Sequence, residues 1–143
     1  MAGQPGTARP SVYVQRGVDA KLASARVPAG LHTIWELVLH LTAWNRAVLG
    51  RAQGKRVRLN KIQDWPPVPT ASPAAWRDAL AQLERSHRQL RSAVRRLPDT
   101  TLSRKTGTRR RDTVHENLLG TVQHYTYHAG QIMLLKRIAK SKK

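Results

Sequence analysis

Two histidines four residues apart, His124 and His128, lie inside the stretch TVHENLLGTVQHYTYHAGQIMLLKR, residues 113–137. The stretch has no proline and carries apolar residues at helical spacing: Val114, Leu118, Val122, Tyr125, Ala129 and Ile132. In a helix, side chains at i and i+4 stand one above the other, so both imidazoles point at one spot. That presentation suits a single metal ion, and an ion kept open for chemistry takes three protein ligands and a free position. A third ligand must therefore come from elsewhere in the chain. The pair alone is a weak signal, and without the glutamate of a HExxH helix it is no metalloprotease signature. His40 occupies the edge of an apolar stripe in another predicted helix, between Leu37 and Trp44, where it would face a neighbouring helix rather than water. Bundle cores are where metal sites are built from facing side chains. The plainer alternative, histidines that are hydrogen-bonded parts of the core, stays open at this point. His87 reads as a packing residue, His32 as part of a helix start and His115 as an exposed first-turn residue.

The elements that would hold these residues follow from periodicity and punctuation. Residues 1–10 read as a disordered N-terminus, 11–138 as a single domain and 139–143 as a basic tail. A first helix is expected over 11–25, from Val14, Val18 and Leu22 at steps of four, with a Pro/Gly turn at 27–30. The second helix runs over about 32–51, with Thr33 and Glu36 at capping-box spacing and a stripe of Ile34, Leu37, Val38, Leu41, Trp44 and Val48. Residues 52–71 are basic and then proline-rich (DWPPVPTASP), which reads as a long connection with Trp65 as an anchor. Ser72 and Pro73 start a third helix whose apolar line is Trp76, Leu80, Leu83, His87, Leu90, Val94 and Leu97, with Arg77, Arg88, Arg91 and Arg95 outside. After Pro98 and Asp99 comes a basic loop with Arg104, Lys105 and Arg109 to Arg111, and Asp112 is the expected cap of the last helix. The expected fold is all-α: a four-helix bundle, mostly antiparallel, with one long connection between helices 2 and 3.

Composition sets the outer bounds. The 143 residues suit one domain with one core, and no run is long and apolar enough to span a bilayer. The polar, Pro/Gly-broken start reads as no signal peptide, so the expected location is cytoplasmic, with no membrane partner. Cysteine is absent, which removes disulfides, thiolate ligands and a protein thiol nucleophile. Charge is the unusual feature: 26 Lys and Arg against 8 Asp and Glu give +18, where a small domain usually carries a magnitude of roughly 2–8. Such a surface attracts polyanions. With aromatics at 5% and no phenylalanine there is no evident base-stacking platform, so non-specific, salt-sensitive nucleic-acid binding is the most the charge implies.

Three segments, HTIWELVLHLTAWNR (32–46), DWPPVP (64–69) and ENLLGTVQHYTYHAGQIMLLK (116–136), together resemble the DinB-like (DinB/YfiT) superfamily of bacterial four-helix-bundle metalloenzymes. The resemblance runs from about Leu31 to Lys136 and is loose only in the first helix. It implies that His40, His124 and His128 bind a divalent metal whose open positions hold water. Imidazole ligands favour zinc or nickel, with iron or manganese also compatible. It further implies a small-molecule substrate, a homodimer, and thiol S-transfer with a low-molecular-weight thiol such as bacillithiol, mycothiol or glutathione, or else hydrolysis. Helix geometry adds pocket candidates one turn away: Glu36 and Trp44 beside His40, Tyr127 and Gln131 beside the HxxxH pair. No general base stands out among the eight carboxylates. The competing readings are a basic nucleic-acid-binding bundle and a metal-carrying bundle without catalysis.

Overall fold

The computed structural model describes residues 14, 16–27, 30–108 and 112–141. The expectations for residues 1–10, the start of the first helix, positions 28–29 of the turn, 109–111 of the basic loop and 142–143 of the tail lie outside these. Among the described residues six helices with defined bounds follow in order: α1 (Ala20–Ser24), α2 (Ile34–Ala52), α3 (Lys61–Asp64), α4 (Pro73–Val94), α5 (Asp99–Leu102) and α6 (Val114–Ser141). No strand occurs among the described residues, only an isolated bridge between Lys105 and Thr113.

The helix starts are set by side chains that accept from otherwise unpaired backbone N–H groups. Thr33 accepts from the Glu36 amide at 3.1 Å and Glu36 accepts from the Thr33 amide at 2.6 Å, the reciprocal capping box expected for α2. Ser72 caps α4 ahead of Pro73. The cap of α6 is Thr113, not Asp112: Thr113 Oγ1 accepts from the Glu116 amide at 3.1 Å, and Glu116 accepts in return from the Thr113 amide at 2.7 Å. The Asp112 carboxylate instead accepts from Asn117 Nδ2. The first helix also differs from expectation. Gly17 takes φ +75°, which breaks a helix there, and Asp19 caps a new start for the five-residue α1.

α2 is the central element. Its Trp35, Leu37, Val38 and Leu41 are buried against Trp76, Leu80 and Leu83 of α4, Val18 and Ala23 near α1, and Ile132 and Leu135 of α6. Full burial of each large apolar side chain is worth about 1.5–3 kcal/mol. Contact order along the helices gives their directions. Trp35 meets Trp76 with ring centroids 5.1 Å apart, and Asn45 reaches Ser86 at 3.0 Å, so α2 and α4 run parallel. His40 meets His124, Asn45 meets Tyr125 and Arg51 meets Asn117, so α2 and α6 run antiparallel. The mostly antiparallel expectation therefore fails for α2 and α4. Residues 53–72 form a crossover that returns the chain to the end at which α2 began, and a parallel neighbour requires one.

α4 and α6 barely touch each other; each packs chiefly on α2. This rotates α6 relative to the expected stripe. Val114, His128, Ile132 and Leu135 are buried, whereas Val122 is 64% exposed and Ala129 faces solvent. With α2 as its main support among the described helices, the histidine strip turns inward and the predicted apolar line only partly does. The far end of α2 is closed by Gly54 at φ +90°, with Lys55 N–H donating to Gly50 O at 2.9 Å. Gly50 lets the returning chain lie on the helix, since a Cβ there would stand 2.7 Å from Val57 Cγ2.

Candidate metal centre

His40 on α2 and His124 and His128 on α6 meet where the two antiparallel helices cross. Nε2 of His124 lies 2.9 Å from Nε2 of His40 and 2.8 Å from Nε2 of His128. The ligand atoms of all three lie within 4.8 Å of one another. His40 and His128 are buried at 5% and 4% exposure, and His124 is half-buried.

The opposite ring nitrogens fix the tautomers. His40 Nδ1 lies 2.7 Å from the Asp64 carbonyl oxygen, which can only accept, so Nδ1 carries the proton and the Nε2 lone pair faces the other histidines. The Asp64 carboxylate lies 3.1 Å from the same Nδ1 and also accepts from Trp44 Nε1 at 2.6 Å. His128 Nδ1 donates to Gln131 Oε1 at 2.6 Å and thereby presents its own Nε2 lone pair. Two lone pairs are thus aimed at His124 Nε2, which has at most one proton to share between them. At most one of the two contacts can therefore be a hydrogen bond, and at least one lone pair is left without a proton, which a cation at their common focus would satisfy. The donor set fits a divalent ion with imidazole ligands. Tetrahedral nitrogen ligands at about 2.0–2.1 Å from an ion stand further apart than these contacts, by a few tenths of an ångström.

The electrostatics agree. Burial pushes the pKa of His40 and of His128 below the ordinary histidine value, although Asp64 and Gln131 respectively pull in the other direction. His124 is pushed down to about 4, first by burial and then by its neighbours His128 and His40. The three imidazoles are held neutral, the form a metal needs.

Aromatic rings surround the three histidines. Trp65 lies between two imidazoles, stacked on His32 at 3.5 Å and on His40 at 3.9 Å, the planes within 9° and 8° of parallel. Trp44 presents an edge to His124 at 5.5 Å, and the Arg51 guanidinium sits 5.2 Å from the Trp44 ring centre. Beyond His124 a cleft of about 1050 Å³ runs between α2 and α6, walled by Trp44, Val48, Arg51, Arg58, Leu119 and Gly120 among others.

A model of the DinB superfamily matches residues 10–132, which takes in both histidine-bearing helices. The chain belongs to the DinB superfamily. No curated protein and no solved structure matches it. Of the candidate residues for this DinB chain, His40, His124 and His128 converge, Gln131 bonds His128, and Trp44 borders both His40 and His124. Tyr127 is 64% exposed, with its ring 5.0 Å from that of His128 and its hydroxyl 3.3 Å from Gln131 Nε2. Glu36 is drawn elsewhere: its bonds go to Thr33, and its ion pairs to His32 and Arg26. Burial would raise its pKa, yet these partners hold it below the usual carboxylate value. Asp64 and the stacking role of Trp65 were not legible as site features. The signal available was DWPPVP itself, an acid and an aromatic immediately ahead of two prolines, in a loop whose distance from the histidines no spacing rule gives.

Proposed function

We propose that the protein is a divalent-metal-dependent enzyme acting on a small molecule at His40, His124 and His128, by thiol S-transfer or by hydrolysis. The observation that carries this reading is the convergence of three neutral imidazoles, two with their outward nitrogens pinned, at the head of a roomy cleft. A bound divalent ion supplies a Lewis acid beside which water or a thiol ionises near neutral pH. Zinc or nickel fits the imidazole donors best, and iron or manganese is compatible.

The chain's own residues contribute holding and orientation. Asp64 and Gln131 keep the protons of His40 and His128 on Nδ1. Trp65 covers one face of the His40 ring and shields it from water. Trp44 and Arg51 form the wall against which a bound molecule would lie, and the half-buried His124 marks the cleft side of the centre.

The deciding test is the metal content of protein purified without an affinity tag, beside His124→Ala prepared in the same way. About one equivalent in the native chain, lost in the variant, is the expected result. Near-zero metal in both, even after incubation with zinc or nickel, would make the triad structural. Thiol-transfer and hydrolysis screens on the loaded protein then divide the two reaction classes.

A second reading has one specific observation behind it. Arg77, Arg85, Arg88 and Arg95 stand exposed along α4 and its cap, so part of the +18 charge is gathered on an outer face. That favours accessory, sequence-independent binding of nucleic acid, not a replacement for the metal centre.

A further inference from the structure

The cleft beside His124 is lined by a buried cation that touches only neutral groups among the described residues. Arg51, in the last turn of α2, is 8% exposed and forms part of the cleft wall. Its Nε–H donates to Val57 O and its Nη1 to Asn117 Oδ1, each at 3.0 Å. That leaves one N–H of Nη1 and both of Nη2 without an acceptor among the described residues. No carboxylate there forms an ion pair with Arg51. Asp112 attracts it only from further off, and its carboxylate accepts from Asn117 Nδ2. Nor does the C-terminal end of α2 rely on Arg51. The carbonyls of Arg51 and Ala52 accept from Arg104 Nη2 at 3.1 Å and 2.7 Å, so a second cation already serves that end. A buried charge is costly unless an opposite charge meets it.

We propose that Arg51 binds a carboxylate on the small molecule that the cleft takes, with an apolar body between that carboxylate and the histidines. The orientation rests on the metal-centre reading given above, which places the reacting end of the molecule at His124. His40, Trp44, Val48 and Arg51 fall within one arc of about 80° on α2, so they form one wall leading away from the centre. The guanidinium carbon lies 5.2 Å from the Trp44 ring centre, and that ring lies 5.5 Å from the His124 ring, so the charge is within about 11 Å of the cleft-side histidine. Val48, Leu59 and Leu119 add apolar lining. A guanidinium fork matches a carboxylate with two parallel N–H···O bonds. The exposed Arg58 adds attraction from the same cleft. Asp112 and Glu116 also line the cleft and repel a doubly charged group, which favours a carboxylate over a phosphate dianion.

Arg51 has a structural task as well, since its Nε–H ties Val57 of the crossover to the end of α2. That tie uses one donor and needs no charge, so the test must separate the charge from the tie. Asn117→Asp does so. The arginine and its bond to Val57 stay, and a carboxylate of the chain itself replaces the neutral oxygen 3.0 Å from Nη1. The internal carboxylate then competes with a bound one for the same guanidinium.

The probes are 4-phenylbutyrate and its neutral counterpart 4-phenylbutan-1-ol, titrated by calorimetry into the full chain with a chelator present and again with zinc. The native chain should bind the carboxylate at least about tenfold more tightly than the alcohol under both conditions. Arg51→Gln and Asn117→Asp should each remove that preference and leave the affinity for the alcohol within about twofold. Arg88→Gln, which removes one charge from the exposed surface of α4, should leave the preference intact. Survival of the preference in Asn117→Asp, or equal weakening of both probes in the two cleft variants, would reduce Arg51 to a tie for the crossover and overturn the proposal. A preference lost equally in Arg88→Gln would trace it to net charge, and one seen only with zinc would place the carboxylate on the metal; either overturns it. Tighter binding of 3-phenylpropyl phosphate than of the butyrate would overturn the choice of carboxylate. A preference that persists in a chain taking up no metal upholds the Arg51 site while the metal-centre reading fails. A metal-loaded chain without the preference does the reverse.

Discussion

Asp64 illustrates how one residue can serve a site from a distance in sequence. Its carbonyl oxygen and its carboxylate both approach His40 Nδ1, at 2.7 Å and 3.1 Å. A carboxylate behind a ligating imidazole orients the ring and raises its basicity, and loss of such a partner typically costs about 10–100-fold in metal affinity. Asp64→Ala keeps the carbonyl and so the tautomer, which places the expected loss near the lower end, about tenfold. Competition with a chelator of known affinity measures it, and an unchanged affinity would mean that the backbone contact alone holds the ring. At this scale the three histidines were legible because two share a helix at i and i+4 and the third sits on a core edge. Asp64 was not, because its partner is 24 positions away and only the folded loop sets that separation. Glu36 shows the converse: its spacing fitted both a cap and a pocket residue, and its bonds to Thr33 make it a cap.

At the scale of elements, starts were easier to read than faces. Thr33 with Glu36 and Ser72 with Pro73 mark their helices by local chemistry that tertiary structure does not alter. The inward face of α6 depends on how many neighbours it has, and that is not local. With α4 and α6 hardly in contact, Asn45 becomes the tie among three helices: fully buried on α2, it donates to Ser86 Oγ on α4 at 3.0 Å and to the Tyr125 hydroxyl on α6 at 2.6 Å. Burial pushes the Tyr125 pKa up to about 12, so its hydroxyl stays protonated, and its oxygen accepts from Asn45. Asn45→Ala would leave the tyrosine hydroxyl and Ser86 without that donor. The expected cost is about 2 kcal/mol in denaturant unfolding, offset in part because Asn45 Oδ1 has no partner of its own among the described residues. If the residue ties the helices, amide exchange in the middle of α6 should speed up more than in α4, which has other contacts with α2. Equal acceleration in both would indicate general destabilisation.

For the whole molecule, composition gives the total charge and only the fold gives its distribution. Three of the eight carboxylates, Asp64, Asp112 and Glu116, line the cleft, where they partly balance Arg51 and Arg58. The excess of positive charge is left to the outer surfaces, including the Arg77, Arg85, Arg88 and Arg95 side of α4. Nucleic-acid binding by the same charge releases counterions and weakens steeply with salt. Retention on duplex DNA at low salt, alike for unrelated sequences and gone by about 0.5 M, is the expected outcome. Changing Arg77, Arg88 and Arg95 together to glutamine should reduce the salt slope without altering metal content, because none of the three borders the histidines or the cleft. Retention that persists at 0.5 M salt, or that depends on sequence, would show a specific nucleic-acid site and move the centre of the function from the cleft to the outer surface.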